Sequence, residues 1–420
     1  MIQQLWEFRH LLAARRWSRS ELREMQGARL RRTIRHAVEK VPYYRELFRQ
    51  TGLDAESIRT AEDLVRVPVT TKSDLVAAGV DALAGDVDPA ACTGKNTSGS
   101  TRRPLRVPEM PSEGRSHNLM VFRTLLDMGF RPLDRMAVVS AIGRHQPRLY
   151  QRLGLFRSRN ISRFQSPAEQ LLALQRYQPT FVWAYPTVLR YLLPMVDDQL
   201  SRVIRPRANI NAGEVMDPQL RARLRDDLDA EFFNLYGSTE AGIVAGECRA
   251  HRGLHVHADR LVLECLESGE PVLPGEWGAA VVTCLWPRAM PMIRYRVGDV
   301  FRFLDERCEC GSAFPLIEAP VGREDDALRL PDGRRLYPGD CDAFVGCREV
   351  LQYRFVQEGA DLLRVQLKLR EEPTNDVLLR LKGRVADYLG DAVSAEIELI
   401  ERFPESEIKF RIFLPRWASQ

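Results

Sequence analysis

Residues 232–240 read FFNLYGSTE, an apolar run that leads directly into a tyrosine, a glycine, two hydroxyl residues and a carboxylate. This pattern predicts a strand that ends in a tight turn. The turn would bring the ring of Tyr236, the hydroxyl of Thr239 and the carboxylate of Glu240 into one pocket. There they could stack on a base, contact a phosphate and hold Mg²⁺. Taken alone, the segment is equally compatible with a strand end whose glutamate is solvated.

Toward the N-terminus, residues 97–104 read TSGSTRRP. Small hydroxyl residues around a glycine indicate a loop whose hydroxyls and backbone N–H groups can surround phosphate oxygens. It is not a Walker loop, because no Gly-Lys-Ser/Thr follows at the required spacing. The alternative is an ordinary surface loop.

Toward the C-terminus, residues 294–299 read RYRVGD. A carboxylate directly after a glycine is well suited to accept hydrogen bonds from two ribose hydroxyls, so Asp299 is a candidate nucleotide contact. The alternative is an ordinary turn aspartate.

The order and spacing of five motifs resemble the adenylate-forming enzyme superfamily, in particular its phenylacetate–coenzyme A ligase-like branch, which includes deazaflavin-coenzyme adenylyl synthetases. The motifs are the loop near residue 97, YGSTE at 236–240, YRVGD at 295–299, GRED at 322–325 and a lysine near the C-terminus. Shorter segments agree with this resemblance: VPYY at 41–44, VPVTTK at 67–72, WAYPT at 183–187 and AGE at 212–214. The resemblance covers nearly the whole chain.

By this resemblance, the chain binds ATP and releases AMP. The implied nucleotide-binding residues are Thr97, Ser98, Gly99, Ser100, Thr101, Gly213, Glu214, Tyr236, Gly237, Ser238, Asp299 and Arg323. The first five would surround the β- and γ-phosphates, and Gly213 and Glu214 would line the adenine pocket. Thr239 and Glu240 would serve the α-phosphate and Mg²⁺, while Asp299 and Arg323 would hold the ribose.

The resemblance also implies an α/β fold with a large N-terminal domain over residues 1–324 and a small α+β lid over residues 325–420. Asp325 would be the hinge, and Lys409 would be the mobile catalytic lysine of the lid. The implied reaction joins an aryl or arylacetic acid to AMP with release of pyrophosphate. The acyl group then passes to an acceptor, with coenzyme A as the expected one.

Two positions depart from the family pattern. Arg102 occupies the place of a glycine in the phosphate loop, and Ile408 occupies the place of the glycine before the lysine. These departures keep open a catalytically idle homologue that binds a nucleotide or an acid. An amide-forming or AMP-transferring ligase that uses no coenzyme A is a second alternative, since thiol acceptors are bound by contacts that a sequence does not reveal.

Two further groups of residues are candidates for binding. Trp183, Tyr185 and Phe233 are candidate walls of the acid pocket, although each is also typical of a core aromatic. Three thiolates and one imidazole complete a tetrahedral set for structural Zn²⁺, and the candidate ligands are Cys248, His251, Cys308 and Cys310. His255 and His257, on an alternating segment, could substitute as ligands, although the alternation favours ordinary strand residues.

Composition excludes several classes of protein. The 61 basic and 57 acidic residues give a net charge of +4, too balanced to require nucleic acid or an anionic membrane as partner. Neither a signal peptide nor an apolar run long enough to span a bilayer is evident, so we expect a cytoplasmic protein whose partners are small molecules. In that setting the eight cysteines favour buried thiols or a metal site over disulfides. The oligomeric state is not predicted.

Overall fold

The computed structural model describes residues 2–97, 104–141, 149–286, 288–390, 393–403 and 409–417, with side chains from Glu7 onward. The α-helices are α1 (Ile2–Ala14), α2 (Arg19–Lys40), α3 (Pro42–Thr51), α4 (Lys72–Ala78), α5 (Pro111–Asp127), α6 (Leu149–Arg152), α7 (Pro167–Tyr177), α8 (Pro186–Leu192), α9 (Pro218–Asp227) and α10 (Asn375–Leu389). The first strands are β1 (Thr93–Asn96), β2 (Arg106–Glu109), β3 (Arg135–Ser140), β4 (Arg157–Ser162), β5 (Phe181–Ala184), β6 (Ala208–Ala212), β7 (Glu231–Ser238), β8 (Gly242–Glu247), β9 (Leu254–Val256), β10 (Leu261–Glu267) and β11 (Glu270–Pro271). They are followed by β12 (Gly278–Cys284), β13 (Tyr295–Phe301), β14 (Phe303–Leu304), β15 (Leu316–Ile317), β16 (Gly322–Arg323), β17 (Leu328–Arg329), β18 (Arg335–Leu336), β19 (Val350–Gln357), β20 (Leu362–Leu369), β21 (Ser394–Leu399) and β22 (Phe413–Pro415).

These elements form two compact units. The first comprises Met1–Gly129 and Asn234–Ala319, and the second comprises Phe130–Phe233 and Pro320–Gln420. The mixture of helices and sheets confirms the expected α/β fold. The units do not follow chain order as the proposed domains 1–324 and 325–420 do, and that division stays a prediction. No helix within the described ranges is long and apolar enough to cross a membrane.

In the first unit, two antiparallel sheets share one hydrophobic core. One sheet has the strand order β11-β10-β12-β13, and the other runs β14-β15-β9-β8-β7. Side chains from both sheets, such as Val244 and Leu254 of one and Val282 and Phe301 of the other, belong to the same buried cluster. Their packing fixes the hairpin β7–β8 and strand β13, which carry two of the predicted motifs.

Apolar residues at helical spacing form the buried side of the long N-terminal helix α2. Helix α2 begins at Ser18, whose side chain accepts a hydrogen bond from the backbone N–H of Glu21 while the glutamate bonds back to Ser18. This reciprocal cap satisfies two backbone donors that would otherwise lack partners. Leu30 and Ile34, one turn apart on α2, are fully buried. Most charged residues of α2 are exposed, whereas Arg29 is half-buried and donates to the carbonyl oxygen of Asp259.

In the second unit, residues 130–233 form a parallel sheet with the strand order β6-β5-β3-β4. Strand β5 leads into α8, and β6 leads toward α9. In open sheets of this kind, ligands bind beyond the carboxyl ends of the strands. The segments 183–187 and 212–214 lie at two such ends.

The C-terminal part of the second unit is a mixed sheet with the order β21-β20-β19-β22, accompanied by α10. It bonds to residues 186–223 through buried polar groups. The Tyr353 hydroxyl donates to Asp217 Oδ1 over 3.1 Å, and the Gln219 side chain donates to the carbonyl oxygen of Val350 over 2.7 Å. Asp217 is fully buried and also pairs with Arg190, which is 2% exposed.

Candidate functional site

The sequence predicts a strand that ends in a tight turn at the YGSTE segment, and the structure has a β-hairpin there. Strand β7 ends at Ser238, residues 239–241 form the turn, and β8 begins at Gly242. The Ser238 hydroxyl accepts a hydrogen bond from the backbone N–H of Ala241 over 3.0 Å, which closes the turn. A Cβ atom on Gly237 would lie 2.6 Å from the carbonyl oxygen of Gly242, so only glycine fits at that position.

Glu240 is held in a fixed position within this turn. It is 8% exposed, and its Oε1 accepts a hydrogen bond of 3.0 Å from the Tyr295 hydroxyl. The guanidinium of Arg288 donates to the backbone carbonyl of Glu240. A carboxylate has about four acceptor positions, so the bond from Tyr295 leaves capacity for a cation.

Asp299 lies on a bulge of strand β13. Between the pairs Ala279–Val300 and Val281–Arg296, β12 contributes residue 280 alone, whereas β13 contributes residues 297–299. A β-bulge changes the direction in which nearby side chains point, and β-bulges are frequent beside functional sites. The Tyr236 hydroxyl donates to Asp299 Oδ2 over 2.9 Å. The structure therefore places Tyr236, predicted to stack on the base, next to Asp299, predicted to bind the ribose.

Only the start of the predicted phosphate loop is described. Thr97 is buried, and its hydroxyl accepts a hydrogen bond of 3.0 Å from the backbone N–H of Leu105. Ser98, Gly99, Ser100 and Thr101 lie outside the described residues, as do Arg102 and Ile408. Their proposed roles stay predictions.

In the second unit, Gly213 and Glu214 follow directly after β6. Gly213 has φ +76°, and a Cβ atom there would lie 2.6 Å from Cε1 of Tyr185. Glu214 Oε2 accepts two hydrogen bonds from Thr187, 2.9 Å from its backbone nitrogen and 2.6 Å from its hydroxyl. Burial raises the pKa of Glu214, while the bonds from Thr187 and the nearby Lys409 and Arg163 oppose that effect.

The C-terminal lysine lies at this same turn. Lys409 Nζ donates a hydrogen bond of 2.6 Å to the carbonyl oxygen of Gly213. The backbone N–H of the next residue, Phe410, donates to the Thr187 hydroxyl over 3.0 Å. The predicted mobile lysine and the predicted adenine-pocket residues therefore lie in direct contact.

The predicted ribose contact Arg323 and hinge Asp325 are both exposed. Asp325 is the middle residue of a single 3₁₀ turn, Glu324–Asp326, for which Arg323 is the N-terminal cap residue. Asp326 pairs with the guanidinium of Arg411, two residues after Lys409. An ion pair thus links the proposed hinge to the lysine segment.

The three candidate pocket aromatics differ in burial. Trp183 and Tyr185 are half-buried, and the Arg163 guanidinium stacks on the Tyr185 ring at 4.5 Å from its centroid. Phe233 is 1% exposed, as expected of a core aromatic. Trp183 and Tyr185 therefore remain the better candidates for a wall that contacts a substrate.

A second cluster in the first unit has the chemistry of a metal site. Ligand atoms of Cys248, His255, Cys308 and Cys310 all lie within 4.8 Å of one another. The Sγ atoms of Cys248 and Cys308 are 3.5 Å apart, and Cys310 Sγ is 3.3 Å from His255 Nε2. Sulfur ligands of a tetrahedral zinc ion are roughly 3.8 Å apart. The set therefore fits Zn²⁺ after small shifts.

The imidazole in this cluster differs from the predicted one. The spacing along the chain predicts His251, whereas the structure brings His255 to the three thiols. Strand pairing explains the difference, because β9 places His255 beside Gly246 of β8 and Leu316 of β15. The Nδ1 atom of His251 instead lies 3.0 Å from Glu247 Oε1. His257, the other alternative, bonds to Arg123 and Thr124.

Sequence reasoning missed the roles of two residues that orient the site. Tyr295 bonds to Glu240, and Thr187 bonds to Glu214 and Phe410. Both lie inside motifs in which only other residues were given functional roles. Their positions in the YRVGD and WAYPT segments were the available signal.

These features agree with the resemblance to adenylate-forming enzymes that the motifs indicate. The family model described as "AMP-binding enzyme" matches residues 154–272. The phenylacetate–coenzyme A ligase of Thermus thermophilus is 28% identical over 349 residues, which cover 77% of this chain and 75% of that protein. The Escherichia coli K12 enzyme of the same name is 26% identical over 413 residues, 93% of each chain. The chain is thus similar over most of its length to phenylacetate–coenzyme A ligases.

Solved structures support the fold. A 2-hydroxyisobutyryl-coenzyme A ligase in its postadenylation state has a TM-score of 0.80 with 20% sequence identity, over 96% of this chain and 92% of that one. An anthranilate coenzyme A ligase has a TM-score of 0.58 with 14% identity, over 77% and 65% of the two chains. At these identities, the comparison concerns architecture rather than substrate.

Proposed function

We propose that this chain is an ATP-dependent, AMP-forming acid ligase that activates a carboxylic acid and transfers the acyl group to coenzyme A. The observation that carries this proposal is the contact between Lys409 and Gly213. An ammonium group held at a turn that resembles the family's adenine pocket can stabilise the charge that develops on an α-phosphate.

In the first half-reaction, a carboxylate oxygen attacks the α-phosphorus of ATP, and the bond from that phosphorus to the pyrophosphate oxygen breaks. The products are the acyl-adenylate and pyrophosphate. Lys409 would neutralise charge in this transition state, Glu240 would hold Mg²⁺, and Asp299 would bind the ribose. A bound Mg²⁺ would neutralise phosphate charge. Positioning and electrostatics supply most of the rate in such transfers.

In the second half-reaction, the sulfur of coenzyme A attacks the acyl carbonyl, and AMP leaves with the electrons of the acyl–oxygen bond. We propose an aryl or arylacetic acid as substrate, because the relatives with matching length are phenylacetate–coenzyme A ligases. Half-buried Trp183 and Tyr185 suit an aromatic acid. A cytoplasmic location is part of the same proposal, since ATP and coenzyme A are both substrates.

We also propose that Cys248, His255, Cys308 and Cys310 bind structural Zn²⁺. The donor set supports this, because three thiolates and one imidazole prefer zinc to the harder Mg²⁺. Four protein ligands close the coordination sphere, so the ion would stabilise the fold and take no part in the reaction.

Exchange of labelled pyrophosphate into ATP tests the first half-reaction. Phenylacetate, benzoate and hydroxylated benzoates should drive exchange in the presence of Mg²⁺, and coenzyme A should then consume the adenylate. If none of a panel of aryl, aliphatic and amino acids drives exchange, the chain would instead be a catalytically idle homologue that binds a nucleotide. Exchange without any thioester would support a different acceptor, such as an amine.

A further inference from the structure

The hydroxyl of Thr187 connects two chain segments that the proposed chemistry needs side by side. Thr187 is 5% exposed and is the second residue of helix α8. Its Oγ1 donates to Glu214 Oε2 over 2.6 Å and accepts from the backbone N–H of Phe410 over 3.0 Å. The same hydroxyl therefore acts once as donor and once as acceptor.

Glu214 fixes the direction of this hydroxyl. Its Oε2 accepts from both the backbone nitrogen and the hydroxyl of Thr187, so the hydroxyl proton points to the carboxylate. The lone pairs of Oγ1 then remain for the Phe410 N–H. The branched Cβ of threonine restricts its side-chain rotation and holds the oxygen in place.

The main chain at Phe410 determines where the preceding lysine can reach. The Phe410 ring is buried between cations, with the Arg190 guanidinium 5.3 Å and the Arg354 guanidinium 4.8 Å from its centroid. Ring packing alone permits small shifts of the backbone, whereas the bond to Thr187 fixes the backbone nitrogen. From there, Lys409 Nζ reaches the carbonyl oxygen of Gly213 at 2.6 Å.

We propose that Thr187 is a positioning residue for the first half-reaction: it holds the main chain at Phe410 so that Lys409 is delivered to the turn at Gly213. The catalytic part of this inference rests on the proposed function, whereas the docking part does not. Thr187 touches neither substrate nor phosphate in this role. It acts through the lysine segment.

Thr187→Val and Thr187→Ser separate this role from simple packing. Valine keeps the shape and removes the hydroxyl, while serine keeps the hydroxyl. Thr180→Val is the matched control, because the Thr180 hydroxyl likewise donates to a carboxylate, Asp134, and accepts from a backbone N–H, that of Arg135. Thr180 precedes β5 and lies at its opposite end from Thr187.

The first readout is hydrogen exchange at the Phe410 amide in the full chain, which needs no activity. Thr187→Val should speed this exchange about tenfold, the scale for losing one hydrogen bond. Thr187→Ser and Thr180→Val should leave it near the wild-type rate. Should the valine variant fail to fold, Thr187→Ala replaces it with the same expectation. Unchanged exchange at Phe410 would overturn the proposal.

The second readout divides the two half-reactions, with phenylacetate and presynthesised phenylacetyl-adenylate as probes. Thr187→Val should lower pyrophosphate exchange about tenfold, and transfer from the supplied adenylate to coenzyme A should stay within about twofold of wild type. Equal losses in both would overturn the positioning role. If the wild type activates no acid while Thr187→Val still frees the Phe410 amide, the docking contact stands and the proposed function fails.

Discussion

The Tyr236 hydroxyl donates a hydrogen bond of 2.9 Å to Asp299 Oδ2, which joins the end of strand β7 to the bulge of β13. If Asp299 accepts ribose hydroxyls, Asp299→Ala should weaken ATP binding by about 1.5 to 3 kcal/mol for each charge-assisted bond lost. Tyr236→Phe removes only the hydrogen bond that orients Asp299, so it should weaken ATP binding less than Asp299→Ala does. Calorimetric titration with ATP measures both, and unchanged affinity in Asp299→Ala would remove this residue from the site.

Lys409→Ala should slow formation of the acyl-adenylate by a factor of about a hundred or more, the scale for one preorganised donor. The affinity for ATP should change little, because the ammonium would act mainly in the transition state. Single-turnover measurements with ATP and with supplied adenylate separate the two steps. Transfer from the supplied adenylate should persist, and loss of both steps would indicate a damaged fold.

The zinc proposal predicts one equivalent of metal per chain in protein purified without chelators. Cys308→Ser and His255→Ala should lose the metal and much of the folding stability, since structural zinc contributes folding free energy directly. His251→Ala is the matched control and should keep the metal. Elemental analysis measures the zinc content of each variant. If the His251 variant loses the metal and the His255 variant keeps it, His251 is the ligand, as the sequence spacing predicts.

The sequence predicted the features that are formed by residues close together in the chain, and it missed those that depend on residues far apart. The strand that ends in a turn around Thr239 follows from an apolar run and a glycine next to each other in the chain, and the structure has this turn at residues 239–241. Strand pairing decides which histidine joins the cysteines in the metal site. It brings His255 to the thiols, although His251 has the more typical spacing from Cys248 in the sequence. The bond between Thr187 and Phe410 joins residues 223 positions apart, which no local pattern records.

Stability should vary with pH through Asp127, which pairs with Arg15 at 2.7 Å. Burial raises the pKa of Asp127 to about 6, whereas an unfolded aspartate titrates near 3.9. The folded chain therefore binds more protons between about pH 4 and 6, and the stability from this group is lost as the pH rises through 6. Relative to the Asp127→Asn variant, the free energy of unfolding of the wild type should fall by about 2 to 3 kcal/mol between pH 4 and pH 7. Urea unfolding at both pH values tests this, and a pH-independent difference would contradict it.

Removing one partner of the buried pair between Arg190 and Asp217 should be strongly destabilising. Asp217→Ala leaves a buried guanidinium without its carboxylate and should lower the free energy of unfolding by about 3 to 5 kcal/mol. Glu56→Ala breaks the exposed pair with Arg35 and should change the free energy of unfolding little. Urea denaturation of the three proteins compares these effects, and equal values for the two variants would refute the expectation.

The polar contacts around Asp217 also bear on how this chain can be cut or recombined. A chain truncated before residue 325 would lose the Tyr353 hydroxyl and the carbonyl oxygens of Val350 and Leu351, which are the partners of Asp217, Gln219 and Arg223. Each of these three side chains is at most 9% exposed, so the hydrogen-bonding position that each one loses would have to meet water or remain unsatisfied. The C-terminal hundred or so residues are therefore a poor candidate for exchange between relatives as an independent module, unless the matching surface of helix α9 is transplanted with them.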